Sequence, residues 1–277
     1  MMGTQAERRE AGIDVLRTLL GDDFDPNRAA KAMVRTHGAL GSFGVDHVLG
    51  NLWNRPQLSR RDRSLVVVSF LATFGATASE ELAVHIRGGL NHGLSREEIE
   101  EVVVQIAGYA GFPLAMSASR AVQEVWRELD AVQRLAPRDE AERKDDDARW
   151  QAATGVRSKM WAGKNASDPA EDREAIVGAL GDVGAMAFDF AFGEIWPREV
   201  LGRRDRSLVT VAILAITKCT DELKIHLRVA LNHGCTRAEL EEVMVQLTGY
   251  GGFPKAVEGI KTARELFAKL DARESRS

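Results

Sequence analysis

Two glutamate–histidine pairs carry the residue types that move protons. In the stretch Glu81-Leu-Ala-Val-His85-Ile-Arg-Gly-Gly-Leu-Asn91-His92-Gly93, the carboxylate and the two imidazoles fall at i, i+4 and i+11. In a helix that spacing keeps Glu81, His85 and His92 along one stripe. A carboxylate one turn from an imidazole can fix its tautomer and raise its pKa, which is the arrangement of an acid–base relay. Gly88 and Gly89 lie between the pair and His92, and their missing side chains read as a gap for a small molecule. The same text returns as Glu222-Leu-Lys-Ile-His226-Leu-Arg-Val-Ala-Leu-Asn232-His233-Gly234, where Val229 and Ala230 narrow that gap. The expectation is an open first site and an altered second one.

Other groups could assist. Arg87 and Arg228 are candidate clamps for a substrate carboxylate, because guanidinium forks grip carboxylates bidentately. His92 and His233 sit where a helix should end. An imidazolium there would interact with the helix dipole, and a place among the substrate-binding residues is the alternative. Trp53, Trp196, Tyr109 and Tyr250 could wall a pocket, although aromatic residues at repeated positions read first as packing; Trp53 and Trp196 are kept as candidate substrate-binding residues. Arg63 and Arg206 are weaker candidates for the clamp role and read first as solvated or as salt bridges between helices. Glu81 with His85 lacks a third ligand at metal spacing, so no metal is expected.

These residues need helices to hold them. The segments around Ile13–Leu20, Asp25-Pro26 and Phe43–Trp53 show apolar positions three and four apart. Ser64–Phe74 has the composition of a buried strand, but no partner strand exists elsewhere, so a buried helix is expected. Ser95-Arg-Glu-Glu98 and Thr236-Arg-Ala-Glu239 are capping boxes that start the next helices. From Glu81 to Pro113, 20 of 33 positions are identical in the second copy. Upstream, Arg60-Arg-Asp-Arg-Ser-Leu65 matches Arg203-Arg-Asp-Arg-Ser-Leu208, with two residues fewer in the following loop of the second copy. The chain is a tandem duplication of an all-α unit, read as a first repeat over 1–135, a charged linker over 136–149 and a second repeat over 150–277.

Composition narrows the function classes. A net charge of −4 gives no electrostatic footprint for nucleic acid or an anionic membrane. The apolar run Leu65–Ala78 is interrupted and shorter than the roughly 20 residues of a membrane span. The polar start, Met1 to Arg9, lacks an apolar leader, and the two cysteines, Cys219 and Cys235, form no disulfide framework. A cytoplasmic protein is expected.

The run E-L-x-x-H-x-R-x-x-L-N-x-G-x-[ST]-x-x-E, followed by Glu-Val and by Tyr109-Ala-Gly-Phe-Pro113, resembles the carboxymuconolactone decarboxylase family, which includes alkyl hydroperoxidase D-like proteins. The resemblance implies two all-α units packed as a pseudo-dimer, and a homotrimer of two-repeat chains. It also implies a cofactor-free lyase acting on a small carboxylated lactone or similar enolisable acid, with Glu81, His85, Glu222 and His226 as acid–base groups. The peroxidase branch of that family uses cysteines seven and four residues before the histidine. Here those positions hold Ala78 and Glu81, then Cys219 and Glu222. Neither copy holds the pair of thiols that a dithiol peroxidase needs. A lone reactive Cys219 and a non-catalytic ligand-binding or assembly module are the other readings.

Overall fold

The computed structural model describes residues 3–130 and 144–275. Every regular element among them is helical, in two tandem units of the same plan. The first runs α1 (Gln5–Leu20), α2 (Pro26–His37), α3 (Ala39–Phe43), α4 (Arg60–Ala72), α5 (Ser79–Asn91), α6 (Arg96–Tyr109) and α7 (Phe112–Leu129). The second runs α8 (Asp146–Met160), α9 (Pro169–Met186), α10 (Arg203–Thr217), α11 (Thr220–Asn232), α12 (Arg237–Tyr250) and α13 (Phe253–Glu274). Of the linker expected over 136–149, residues up to 143 lie outside the described ones, and α8 already begins at Asp146.

α4 and its counterpart α10 hold the centre. Ser59 caps α4 by accepting from the Asp62 amide, and the helix is then buried from Asp62 to Ala72. Its faces serve two cores. Leu65, Val67 and Val68 pack into the first repeat, whereas Val66 and Phe70 pack into the second. Leu201, Val209 and Ile213 reach back from the second repeat into the first core. A helix apolar all round is stable only when enclosed in this way. The units therefore form one pseudo-dimer with a shared interior.

The Arg-Arg-Asp-Arg-Ser-Leu motif ties the halves together. Arg61 meets Asp205 at 2.7 Å and Arg204 meets Asp62 at 2.9 Å. Arg63, fully buried, donates to Glu242 at 2.8 Å and to Gln246 at 2.7 Å. Arg206 makes the mirror contacts with Glu101 and Gln105, both at 2.8 Å. The reading of Arg63 and Arg206 as interhelical salt bridges matches their geometry.

Two features were not foreseen. Gly44–Leu52 and Ala187–Ile195 are π-helical, and each ends with a tryptophan amide bonded five residues back, Trp53 to Val48 and Trp196 to Ala191. Inserted π turns rotate the following residue out of α-register, and they recur at functional sites. Second, Pro169–Ile195 is a helical stretch containing an 18-residue window of mean hydropathy 1.5, of which only 11% is buried, so by length and composition alone it could cross a membrane. Leu65–Ala78, the apolar run that stands out in the sequence, belongs to the buried centre instead. Gly181, at φ 59° and ψ −140°, kinks the exposed stretch.

Candidate active site

α5 presents Leu82, His85, Ile86 and Gly89 to the interior. His85 lies against Trp53, with ring centroids 5.7 Å apart and planes within 18° of parallel. Tyr250, from the other repeat, meets the imidazole edge-on at 5.4 Å. The Trp53 indole N–H donates to the Tyr250 hydroxyl at 2.8 Å, and that hydroxyl lies 3.4 Å from His85 Nε2. The second repeat repeats the bracket around His226. Trp196 stacks at 6.1 Å, Tyr109 stands edge-on at 5.1 Å, and the Trp196 indole donates to the Tyr109 hydroxyl at 2.7 Å. Each imidazole thus takes its tryptophan from its own repeat and its tyrosine from the other.

The electrostatics are those of a desolvated interior. Burial, followed by the neighbouring His92, pushes the His85 pKa down to about 3. Burial and His233 do the same to His226, also to about 3. Burial moves both tyrosine hydroxyls in the opposite direction, upwards. Desolvation disfavours the charged form of each group, so neutral imidazoles face protonated phenols at pH 7. His85 Nδ1 and His226 Nδ1 are buried and have no hydrogen-bond partner.

The expected relay does not form. Glu81 and Glu222 are exposed in the first turns of α5 and α11, and neither carboxylate holds its imidazole. The imidazole pKa falls instead of rising, because no carboxylate offsets burial. Two residues four apart share a broad face, but here the buried stripe stops between them. A glutamate in a first turn is favoured in solvent by the helix dipole.

The gap at Gly88–Gly89 is also not a ligand space. A Cβ on Gly88 would lie 2.2 Å from the Leu19 side chain, and one on Gly89 would lie 3.0 Å from Leu94. Gly88 admits α1 to close packing, and Gly89 lies against Leu94. In the second copy Val229 packs with Met160 and Trp196. The expected contrast between an open and an altered site has no basis at these positions.

His92 and His233 lie beside the brackets, each 5.8 Å from its tryptophan. Ser64 bonds His92 Nδ1 at 2.7 Å and Thr18 bonds its Nε2 at 2.9 Å. Ser207 bonds His233 Nδ1 at 2.8 Å, while His233 Nε2 is buried without a partner. Burial, and the charges of Arg60 and Arg203 respectively, lower both to about 4. They are neutral, so the expected imidazolium–dipole interaction is absent.

Neither candidate arginine clamp reaches an imidazole. Arg87 is closed onto Glu128 and the Ala83 carbonyl. Arg228 lines a separate polar pocket with Arg157, Lys164 and Arg273. An apolar cleft of about 570 Å³, bordered by Val103, Phe112, Met116, Phe190 and Ile195, has its charges taken up, Lys144 by Glu194 and Arg198 by Glu101. Neither cavity is lined by His85 or His226. Cys219 is half-buried and accepts from Thr217 at 3.4 Å, whereas Cys235 is buried and its thiol is pushed up to about 12, chiefly by burial.

Tyr109 and Tyr250 are the site residues for which the sequence favoured packing over a place in the pocket wall. Their signal was present, since each falls in the repeated Gly-Tyr-x-Gly-Phe-Pro text. Their partners are far along the chain and no local pattern reports them.

Comparison with known proteins agrees with this plan. The model of the carboxymuconolactone decarboxylase family matches residues 44–124 and 181–265, more than half of the chain. The chain belongs to the carboxymuconolactone decarboxylase family. A 4-carboxymuconolactone decarboxylase from Acinetobacter baylyi is 42% identical over 81 residues, 29% of this chain and 60% of that protein. The chain thus matches less than two thirds of that relative's length. A nitrosuccinic acid decarboxylase from Metarhizium robertsii is 30% identical over 43% of this chain and 82% of its own. A Burkholderia xenovorans crystal structure, described as a gamma-carboxymuconolactone decarboxylase subunit, aligns over 99% of this chain and 100% of its own. Its TM-score is 0.51 at 22% identity, and it supports the fold.

Proposed function

We propose that this chain is a decarboxylase of small carboxylic acids whose departing CO2 leaves charge on an adjacent electron sink, and that His85 and His226 stabilise that charge as neutral imidazoles. The observation that carries the reading is the unpartnered Nδ1 of both histidines. With Trp53 donating to the Tyr250 oxygen, the tyrosine hydrogen is free to point at His85 Nε2. Nε2 then accepts and Nδ1 carries the ring proton, a buried donor that awaits an oxyanion. Preorganised donors in a dry site are strong contributors to transition-state stabilisation.

The relatives favour this chemistry. Their named substrates, 4-carboxymuconolactone and nitrosuccinic acid, differ in the group that can take up an electron pair, a lactone in one and a nitro group in the other. In either, the bond to the carboxylate breaks, its electron pair moves into the sink, CO2 leaves, and a proton returns to carbon. The proton that returns to carbon is drawn from solvent water, and Glu81 and Glu222, exposed one helical turn from the imidazoles, are assigned to relay it. A carboxylated lactone or similar enolisable acid is the substrate class, with no cofactor in the proposed step.

The test is CO2 release from 4-carboxymuconolactone and nitrosuccinate by the wild type and by a His85→Gln, His226→Gln double variant. Turnover with a loss of about 10²-fold or more in the double variant is expected. An inert wild type, or a double variant that turns over normally, would overturn the reading. The thiol-peroxidase alternative has little support, because burial holds the Cys235 thiol protonated and Cys219 has no second thiol four residues before His226.

We also infer self-association as the family predicts, a trimer of two-repeat chains. Leu40 and Phe43 in the first repeat and their counterparts Val183 and Met186 in the second are all exposed. Apolar residues exposed at equivalent places in both repeats mark a face that other copies would cover.

A further inference from the structure

The second repeat carries a polar pocket of about 480 Å³ that the mechanism does not use. Arg157, Trp161, Lys164, Arg228, Asn232 and Arg273 form its wall. Arg228 is two residues beyond His226 on α11, about 200° around the helix, so the pocket lies on the far side of that helix from the imidazole. Arg157 is neutralised by the buried Asp172, at 3.0 Å. Lys164, Arg228 and Arg273 have no carboxylate within ion-pair distance among the described residues, and no acidic side chain lines the cavity. In a chain of net charge −4, three uncompensated cations around one hollow are not the average surface.

The first repeat shows what was changed. There Arg87, the counterpart of Arg228, is held by Glu128 of α7. The residue equivalent to Glu128 in α13 is Lys269, a reversal of charge that removes Arg228's partner. Arg157 stands where the first repeat has the buried core residue Leu16. The pocket wall also includes Ala162 at φ 51°, whereas the equivalent position is Gly21 at φ 86°. A side chain has been kept in a left-handed conformation that favours glycine, and such strain clusters at ligand sites.

We propose that this pocket binds a small polyanion, a molecule bearing two or more phosphate or carboxylate groups. Guanidinium forks match both oxyanions bidentately, and three mutually repelling cations are stabilised by more than one negative charge. The volume is that of an ordinary small-ligand site. The inference does not depend on the decarboxylase reading.

Calorimetric titration of the full chain with pyrophosphate and with citrate, at about 0.15 M ionic strength, tests it. One equivalent of at least one probe is expected to bind per chain. Tighter binding of pyrophosphate identifies a phosphate ligand, and tighter binding of citrate a polycarboxylate. Arg228→Gln and Arg273→Gln should each weaken binding about tenfold, and Arg87→Gln should leave it unchanged. Thermal melts confirm that each variant is folded, and the Trp161 indole N–H resonance reports occupancy independently. No binding of either probe at millimolar concentration, two equivalents per chain, or equal weakening by Arg87→Gln would overturn the proposal.

Discussion

The Trp53 indole and the Tyr250 phenol are joined by a 2.8 Å hydrogen bond although they are 197 residues apart in the chain. The bond is formed inside the interface between the repeats, so it reports on their docking as well as on the site. Trp53→Phe and Tyr250→Phe, alone and together, should give a coupling energy of about 1 kcal/mol in urea unfolding. Purely additive losses would show that the two groups do not interact.

The two brackets are alike, and this sets the expected kinetics. His85→Gln and His226→Gln should each leave roughly half of the wild-type turnover per chain, and only the double variant should be inactive. Steady-state kcat measured per chain separates this from the pattern of one working and one vestigial site, in which a single substitution removes everything.

Stability should depend on pH through the same histidines. Unfolded, His85 and His226 titrate near the ordinary imidazole value of about 6.5, and burial lowers both to about 3 in the folded chain. Between those values the unfolded chain binds more protons, so stability falls as pH drops from about 6.5 towards 3 and is level above about 7. The slope from each buried imidazole approaches about 1.4 kcal/mol per pH unit. Denaturant midpoints measured from pH 7 to pH 4 should show a shallower decline in the double His→Gln variant. Identical declines would contradict the neutral, desolvated state.

Arg63 and Glu242 are both buried, and removing one leaves an unpaired charge. Arg63→Ala should cost about 3–5 kcal/mol, and Arg63→Met with Glu242→Gln clearly less. Chemical unfolding of the three proteins distinguishes a buried pair from an incidental contact.

The exposed apolar face predicts the assembly. Light scattering should give a mass near three chains for the wild type, and Val183→Glu with Met186→Glu should lower it. An unchanged mass in that variant would place the interface elsewhere.

Local signals were legible in the sequence and long-range ones were not. The capping boxes at Ser95–Glu98 and Thr236–Glu239 form as read, because they depend on residues three apart. The two-residue difference before the site helix is visible as a 3₁₀ turn, Gly75–Ala78, in one copy and a single left-handed Lys218 in the other. The π turns escaped notice, since one extra residue in a turn leaves the apolar spacing nearly unchanged. The Glu81–His85 relay was misjudged for a different reason. Periodicity tells which residues share a face, but the edge of the buried stripe is set by whatever packs against the helix. Here that is Trp53 and the distant Tyr250.

The crossed tyrosines make the repeats interdependent. One half alone holds a histidine whose orienting phenol it cannot place itself, so each repeat needs a second repeat docked on it. Fusion supplies that second repeat within the same chain, and a change at Tyr250 is felt at the histidine of the opposite half.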